Sequence, residues 1–234
     1  MKKLHFFNKE FERVVRNELQ IFDRPITEED ALKAEKLNCG EFTFHMEDSD
    51  TLSAFKNLTY LEINVGFEDL SFLKKLLNLT HLELGFYRSN FDTNYLLPLK
   101  KLEILFVSGG DTSDFAFHNF ESIAKLPLLN DLGLHEFGTV DLAVLKEMPY
   151  IKSFFCGWAD KVCNIDAISY LVNLEHLCLI DVTLPNLEFT KTLPDEMSLE
   201  LCGINILSDV DLSELRRFKE CALDEIEIRG EGVI

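Results

Sequence analysis

Asn57-Leu58-Thr59-Tyr60-Leu61-Glu62-Ile63 returns 21 residues later as Asn78-Leu79-Thr80-His81-Leu82-Glu83-Leu84, and again as Asn173-Leu174-Glu175-His176-Leu177-Cys178-Leu179. All three fit the frame L-x-x-L-x-L. Outward at that spacing, weaker copies begin at Leu102, Leu129, Ile151 and Leu223, and two degenerate ones at Cys39 and Glu196. The nine first positions 39, 58, 79, 102, 129, 151, 174, 196 and 223 recur at about 23 residues, a period that signals a repeat architecture. In an extended segment, frame positions 4 and 6 point to one side and position 5 to the other. Positions 4 and 6 are apolar in all nine units, and one unit cannot bury that face alone, whereas a stack can.

The frame and period resemble the leucine-rich repeat family, in its internalin-like bacterial form. The resemblance covers roughly residues 37–230 and implies an α/β fold: a leucine-rich repeat solenoid with a curved parallel sheet of about nine strands and helical or 3-10 returns on the convex side. The sequence departs from the family at the ninth frame position, usually Asn. Here it reads Glu47, Gly66, Tyr87, Gly110, Phe137, Ala159, Val182, Ile204 and Glu231. Backbone groups at those bends must therefore find other partners. Asp69, Asp141, Asp166 and Asp211 each precede an apolar residue and are expected to N-cap the returns. Helical spacing is also expected over Leu212–Phe218 and Phe117–Leu126.

The first residues lie outside the repeat. Phe11, Val14, Val15 and Leu19 make an amphipathic helix, and Thr27 with Asp30 reads as a capping box before Ala31 and Leu32. Residues 1–36 are expected to form a helical N-terminal cap, and residues 37–234 a single continuous solenoid domain.

Composition narrows the partners. Against 23 Lys and Arg stand 41 Asp and Glu, a net charge of −18 over 234 residues. Nucleic-acid affinity rests on cations that neutralise phosphates, so nucleic acid and anionic membranes are excluded as expected partners and a basic protein surface is favoured. No apolar run is long enough to span a membrane. The start, with charges returning at Lys9, Glu10 and Glu12, lacks the form of a secretory signal. The six Cys form no C-x-x-C pair and are expected as reduced thiols in a cytoplasmic protein.

The frame also selects a surface. Positions 3, 5, 7 and 8 should face the concave side, where nine strands would span roughly 38 Å. Aromatics gather in its middle and carboxylates toward its ends. The expected partner-binding residues are Tyr60, Glu62, His81, Glu83, Phe86, Phe106, Asp131, Phe155, Trp158, His176 and Glu200. Glu62 beside Glu83, and Glu200 beside Glu227, would place like charges across adjacent strands, a cost that a basic partner relieves. The function that the resemblance implies is a protein-protein interaction module binding a basic protein partner on this acidic, aromatic-centred face. Two alternatives are an immunity or inhibitor protein neutralising a basic toxin or enzyme, and a hydrolase using His176 and Cys178. No catalytic residue, metal or cofactor is expected. Asn57 and Asn78 match glycosylation sequons but read as structural members of the frame.

Overall fold

The computed structural model describes residues 2–87, 90–110 and 115–228. They divide into two compact units, one of residues 2–110 with Phe115–Leu129, the other running from Asn130.

In the first unit, helix α1 (Lys9–Leu19) starts at Asn8, whose side chain accepts from the Glu10 amide. Its apolar stripe buries Phe11 and Val15, and the Phe11 ring meets Phe44 edge-on with centroids 5.0 Å apart. The short helix α2 (Glu28–Ala31) opens on the expected box, Thr27 and Asp30 capping each other reciprocally. Strand β1 (Lys36–Phe44) follows, then helix α3 (Ser49–Leu52) and strands β2 (Tyr60–Val65), β3 (His81–Phe86), β4 (Phe91–Asp92), β5 (Ile104–Ser108) and β6 (Phe117–His118). Strands β1, β2, β3 and β5 form one parallel sheet in chain order; β4 and β6 pair separately. The register is the predicted one from Tyr60 to His81 to Ile104. Leu61, Ile63, Leu82, Leu84, Leu105 and Val107 are all buried. Each such side chain contributes about 1.5–3 kcal/mol on leaving water.

The second unit repeats the plan with β7 (Asp131–Asp141), β8 (Ser153–Cys163), β9 (His176–Ile180), β10 (Thr183–Leu184), β11 (Ser198–Cys202), β12 (Asn205–Ile206), β13 (Glu220–Asp224) and β14 (Glu227–Ile228). Here β7, β8, β9, β11 and β13 pair in parallel, in order, and β10, β12 and β14 form a narrower second sheet. The chain thus has the α/β leucine-rich repeat fold, with returns made of short 3-10 helices.

Both end repeats sit in a different register from the expected one. Tyr60 pairs with Lys36 and Leu61 with Leu37, so the first repeat begins at Ala34, and its inward pair is Leu37 and Cys39. A register shift between Cys39 and Thr43 then carries Glu41 out of the frame. At the other end Ser198 pairs with Glu220 and Leu201 with Leu223, so the last repeat begins at Phe218. Alternating apolar residues satisfied the frame at the wrong offset in both places. One consequence is that Glu227 pairs with Asn205 and Glu200 with Ala222, which removes the expected Glu200–Glu227 repulsion.

Two of the expected returns also change. Asp69, Asp141 and Asp211 accept from amides two residues ahead, but Asp166 lies inside its 3-10 helix (Ile165–Tyr170), whose cap is the left-handed Asn164. The segment from Phe117 opens as a strand, and only Phe120–Lys125 is helical.

The missing asparagine at position nine has a backbone substitute. In the second unit position eight is left-handed in every repeat: Glu136, Trp158, Asp181, Gly203 and Glu225 all have φ between 48° and 64°. The bend lets the Asp181 amide donate to Cys202 and the Gly203 amide to Asp224, and two residues on Asn205 donates to Val182 and Glu227 to Ile204. Position nine is then free to be apolar, and Phe137, Ala159, Val182 and Ile204 are buried. Asparagine does its work at the other end of the rung, where Asn57, Asn78 and Asn173 donate to the carbonyls of Leu32, Lys56 and Pro149. The tail from Glu231 lies outside the described residues.

Candidate functional site

Each unit has its own outward strand positions. In the first, Glu62 pairs with Glu83, and Glu83 with Phe106. The Tyr60 hydroxyl lies 2.9 Å from Glu62 Oε2 and 3.0 Å from Glu83 Oε1. His81 Nε2 is 2.8 Å from the same Glu83 oxygen, and the Tyr60 and His81 rings are 4.6 Å apart. Burial, then the two carboxylates, push the Tyr60 phenol well above its ordinary range. The acidic pair therefore carries its own polar partners within the sheet. Tyr60, Glu62, His81, Glu83 and Phe106 are all half-buried.

Phe86 does not belong to this patch. It is buried, stacked on Phe91 at 4.8 Å and tilted against Phe115 at 5.3 Å. Strand β3 stays regular through Phe86, so strict alternation sends its ring to the side of Leu82 and Leu84. The expectation that Phe86 faces a partner is thereby corrected.

The second patch has Asp131 and Phe155 half-buried and Trp158, His176 and Glu200 exposed. Its centre is a trio of rings. Phe155 and Trp158 stand 6.0 Å apart, His135 and Phe155 6.0 Å, and His135 and Trp158 6.1 Å. His135 was not among the expected binding residues. Its frame position, seven, is an outward one, and that was the only signal available. Glu136 Oε2 approaches His135 Nδ1 at 3.9 Å. Gly157 is buried, and a Cβ there would come within 3.0 Å of Phe155 Cζ and 3.3 Å of the Ile180 carbonyl; glycine lets the Phe155 ring lie over the backbone.

The hydrolase reading loses support at Cys178. This side chain shares a face with His176, but burial, then the neighbouring Glu200 carboxylate, push its thiol up to about 12. It remains protonated at neutral pH, and a thiol is a poor nucleophile. Among the described residues no three His, Cys, Asp or Glu side chains are grouped to hold a metal ion, and no helix is long and apolar enough to cross a membrane.

No protein-family model and no curated protein matches the chain. Solved structures do. Internalin C2 of Listeria monocytogenes is 19% identical with a TM-score of 0.55, over 94% of each chain. A leucine-rich repeat protein of Leptospira interrogans is 19% identical with a TM-score of 0.60, over 75% of this chain and 45% of that one. The plant peptide hormone receptor RGFR1, solved in complex with RGF2, is 16% identical with a TM-score of 0.53, over 80% of this chain and 35% of that one. At these identities the likeness establishes the fold.

Proposed function

We propose that this leucine-rich repeat chain is a protein-binding module that docks a basic protein partner on its outward strand faces, with Phe155 and Trp158 as anchors. The observation that carries the reading is Trp158. It is the chain's only tryptophan, it is 48% exposed, and it sits on a left-handed backbone with φ 51°. The bend itself is common to every rung of the second unit; what sets this one apart is that it carries a large exposed ring, for which a solvated sheet face has no use. Interfaces use such rings as anchors surrounded by a polar rim. Here Glu136, His176 and Glu200 supply the rim, and Tyr60, Glu62, His81, Glu83 and Phe106 offer a second contact area on the first unit. The net charge of −18 favours a cationic partner and a salt-sensitive association rate. That a receptor of similar fold was solved with a bound peptide hormone supports an interaction role.

The test is affinity capture compared across variants. Phe155→Ala with Trp158→Ala should lose the captured protein while the circular dichroism spectrum is unchanged. Retention of the same protein at the same yield would refute the anchor. Capture that is indifferent to salt between about 50 and 300 mM would refute the electrostatic part.

A further inference from the structure

We infer that the His135–Phe155–Trp158 trio is a seat for one guanidinium group, an arginine side chain presented by the protein partner; the inference rests on the protein-binding reading and specifies its chemistry. The three rings form a nearly equilateral triangle, 6.0, 6.0 and 6.1 Å on a side, with planes inclined by 71°, 51° and 69°. A cation about 3.5 Å above that triangle lies about 5 Å from the Phe155 and Trp158 centroids, inside the roughly 6 Å distance of a cation–π contact, while His135, set edge-on against both rings, walls the third side. The trio reaches solvent, since Trp158 is exposed and the His135 side chain is 30% accessible.

Two further features select a cation. Glu136 stands beside His135, its carboxylate 3.9 Å from Nδ1 and about half exposed, so an arriving cation meets a negative group at the rim. Glu136 and Trp158 occupy the same frame position on neighbouring strands, and both are left-handed, with φ 59° and 51°. The bend that projects the ring is thus repeated in the bend that projects the carboxylate. Guanidinium is preferred to ammonium because it is flat, weakly hydrated, stacks on ring faces and reaches a carboxylate with a second N–H at the same time. Gly157 completes the seat by leaving room for Phe155; a methyl there would press on the ring.

Trp158 reports on the seat directly, because no other tryptophan emits. The probe is acetyl-Gly-Arg-Gly-amide, titrated at constant ionic strength, beside the same peptide carrying lysine or uncharged citrulline. The arginine peptide should give a saturable change in emission with a Kd on the order of 10 mM, the lysine peptide should bind several-fold more weakly, and citrulline should leave the emission flat. Phe155→Leu should flatten the arginine titration with an unchanged circular dichroism spectrum; if that variant unfolds, His135→Leu takes its place. An equal response to citrulline, or an arginine titration untouched by the ring substitution, overturns the inference. If capture of the partner protein requires Phe155 and Trp158 while the arginine peptide leaves the emission flat, the binding module stands and the guanidinium seat falls. If the peptide saturates while the variants still capture the protein, the seat stands and the anchor falls.

Discussion

Glu62 stands directly opposite Glu83 on adjacent parallel strands, and one phenolic hydroxyl, that of Tyr60, lies within 3.0 Å of both. A phenol has a single proton to donate, so the two carboxylates share it. Like charges set across a strand pair are destabilising by themselves; here the hydroxyl and His81 offset that cost. Tyr60→Phe should therefore destabilise the fold by about 1–2 kcal/mol. Glu83→Gln should cost much less in the Tyr60→Phe background than in the parent, because the repulsion it removes is then unscreened. A double-mutant cycle by urea denaturation measures the coupling, and simple additivity would show that the hydroxyl is idle.

Trp158 provides a test by sign. Alanine is ordinarily more stable than glycine in an ordered segment. At φ 51° the order should invert: Trp158→Gly should be more stable than Trp158→Ala by about 1 kcal/mol, although both remove the same ring. The same inversion is expected at Glu136. Thermal or denaturant midpoints of the paired variants decide it, and an alanine advantage at either site would contradict the left-handed bend.

Asp30 governs the acid limb of stability. Its buried carboxylate is held by Arg24 at 2.6 and 2.8 Å and Lys33 at 2.9 Å, and it also bonds Thr27. The Arg24 hydrogen bond leads in holding its pKa well below the usual carboxylate range. With a folded value under the unfolded one near 3.9, the unfolded chain binds the extra proton. The contribution is then complete above about pH 5 and is lost as pH falls through the unfolded value and below. Asp30→Asn should cost about 2 kcal/mol at pH 7, discounted for the half-exposed Arg24, and the cost should shrink steadily below about pH 4 while part of it persists at pH 2, because the folded carboxylate is still ionised there. Denaturation at a series of pH values checks the convergence.

The frame asparagines can be tested singly. Asn173 donates to the Pro149 carbonyl at 2.8 Å. Asn173→Ala should lose about 1 kcal/mol, and Asn173→Asp should lose more because the donor becomes a charged acceptor facing a carbonyl. Equal stabilities would mean that the bond contributes nothing.

The interior rungs were legible because leucine fills their inward sites, so period and register agreed from Tyr60 to His81 to Ile104. The ends were not, for a physical reason. Ala34, Cys39, Phe218 and Cys221 hold first or inward sites there, while Phe42, Phe44, Ile226 and Ile228 offer an equally good alternation five residues away. A period of two cannot separate such offsets; pairing partners can. Phe86 was misplaced because a frame position carries no information about whether the chain bends there. In the second unit it does, and Trp158 turns outward; in β3 it does not, and Phe86 turns inward. Phe155, Trp158, His176 and Glu200 were readable as outward positions, whereas the ring triangle with His135 needed coordinates.

The left-handed residue at position eight is a joint of constant geometry. Asp181, Gly203 and Glu225 are bent alike, 22 residues apart, and the Asp181 and Gly203 amides each bond only the next rung. A coil assembled from congruent joints has no preferred length. Excising residues 174–195 would bring Asn173 next to Glu196 with every later side chain still facing the side it faces now. Whole rungs are therefore interchangeable parts, and the breadth of the outward surface can be changed by adding or removing them without redesigning the interior.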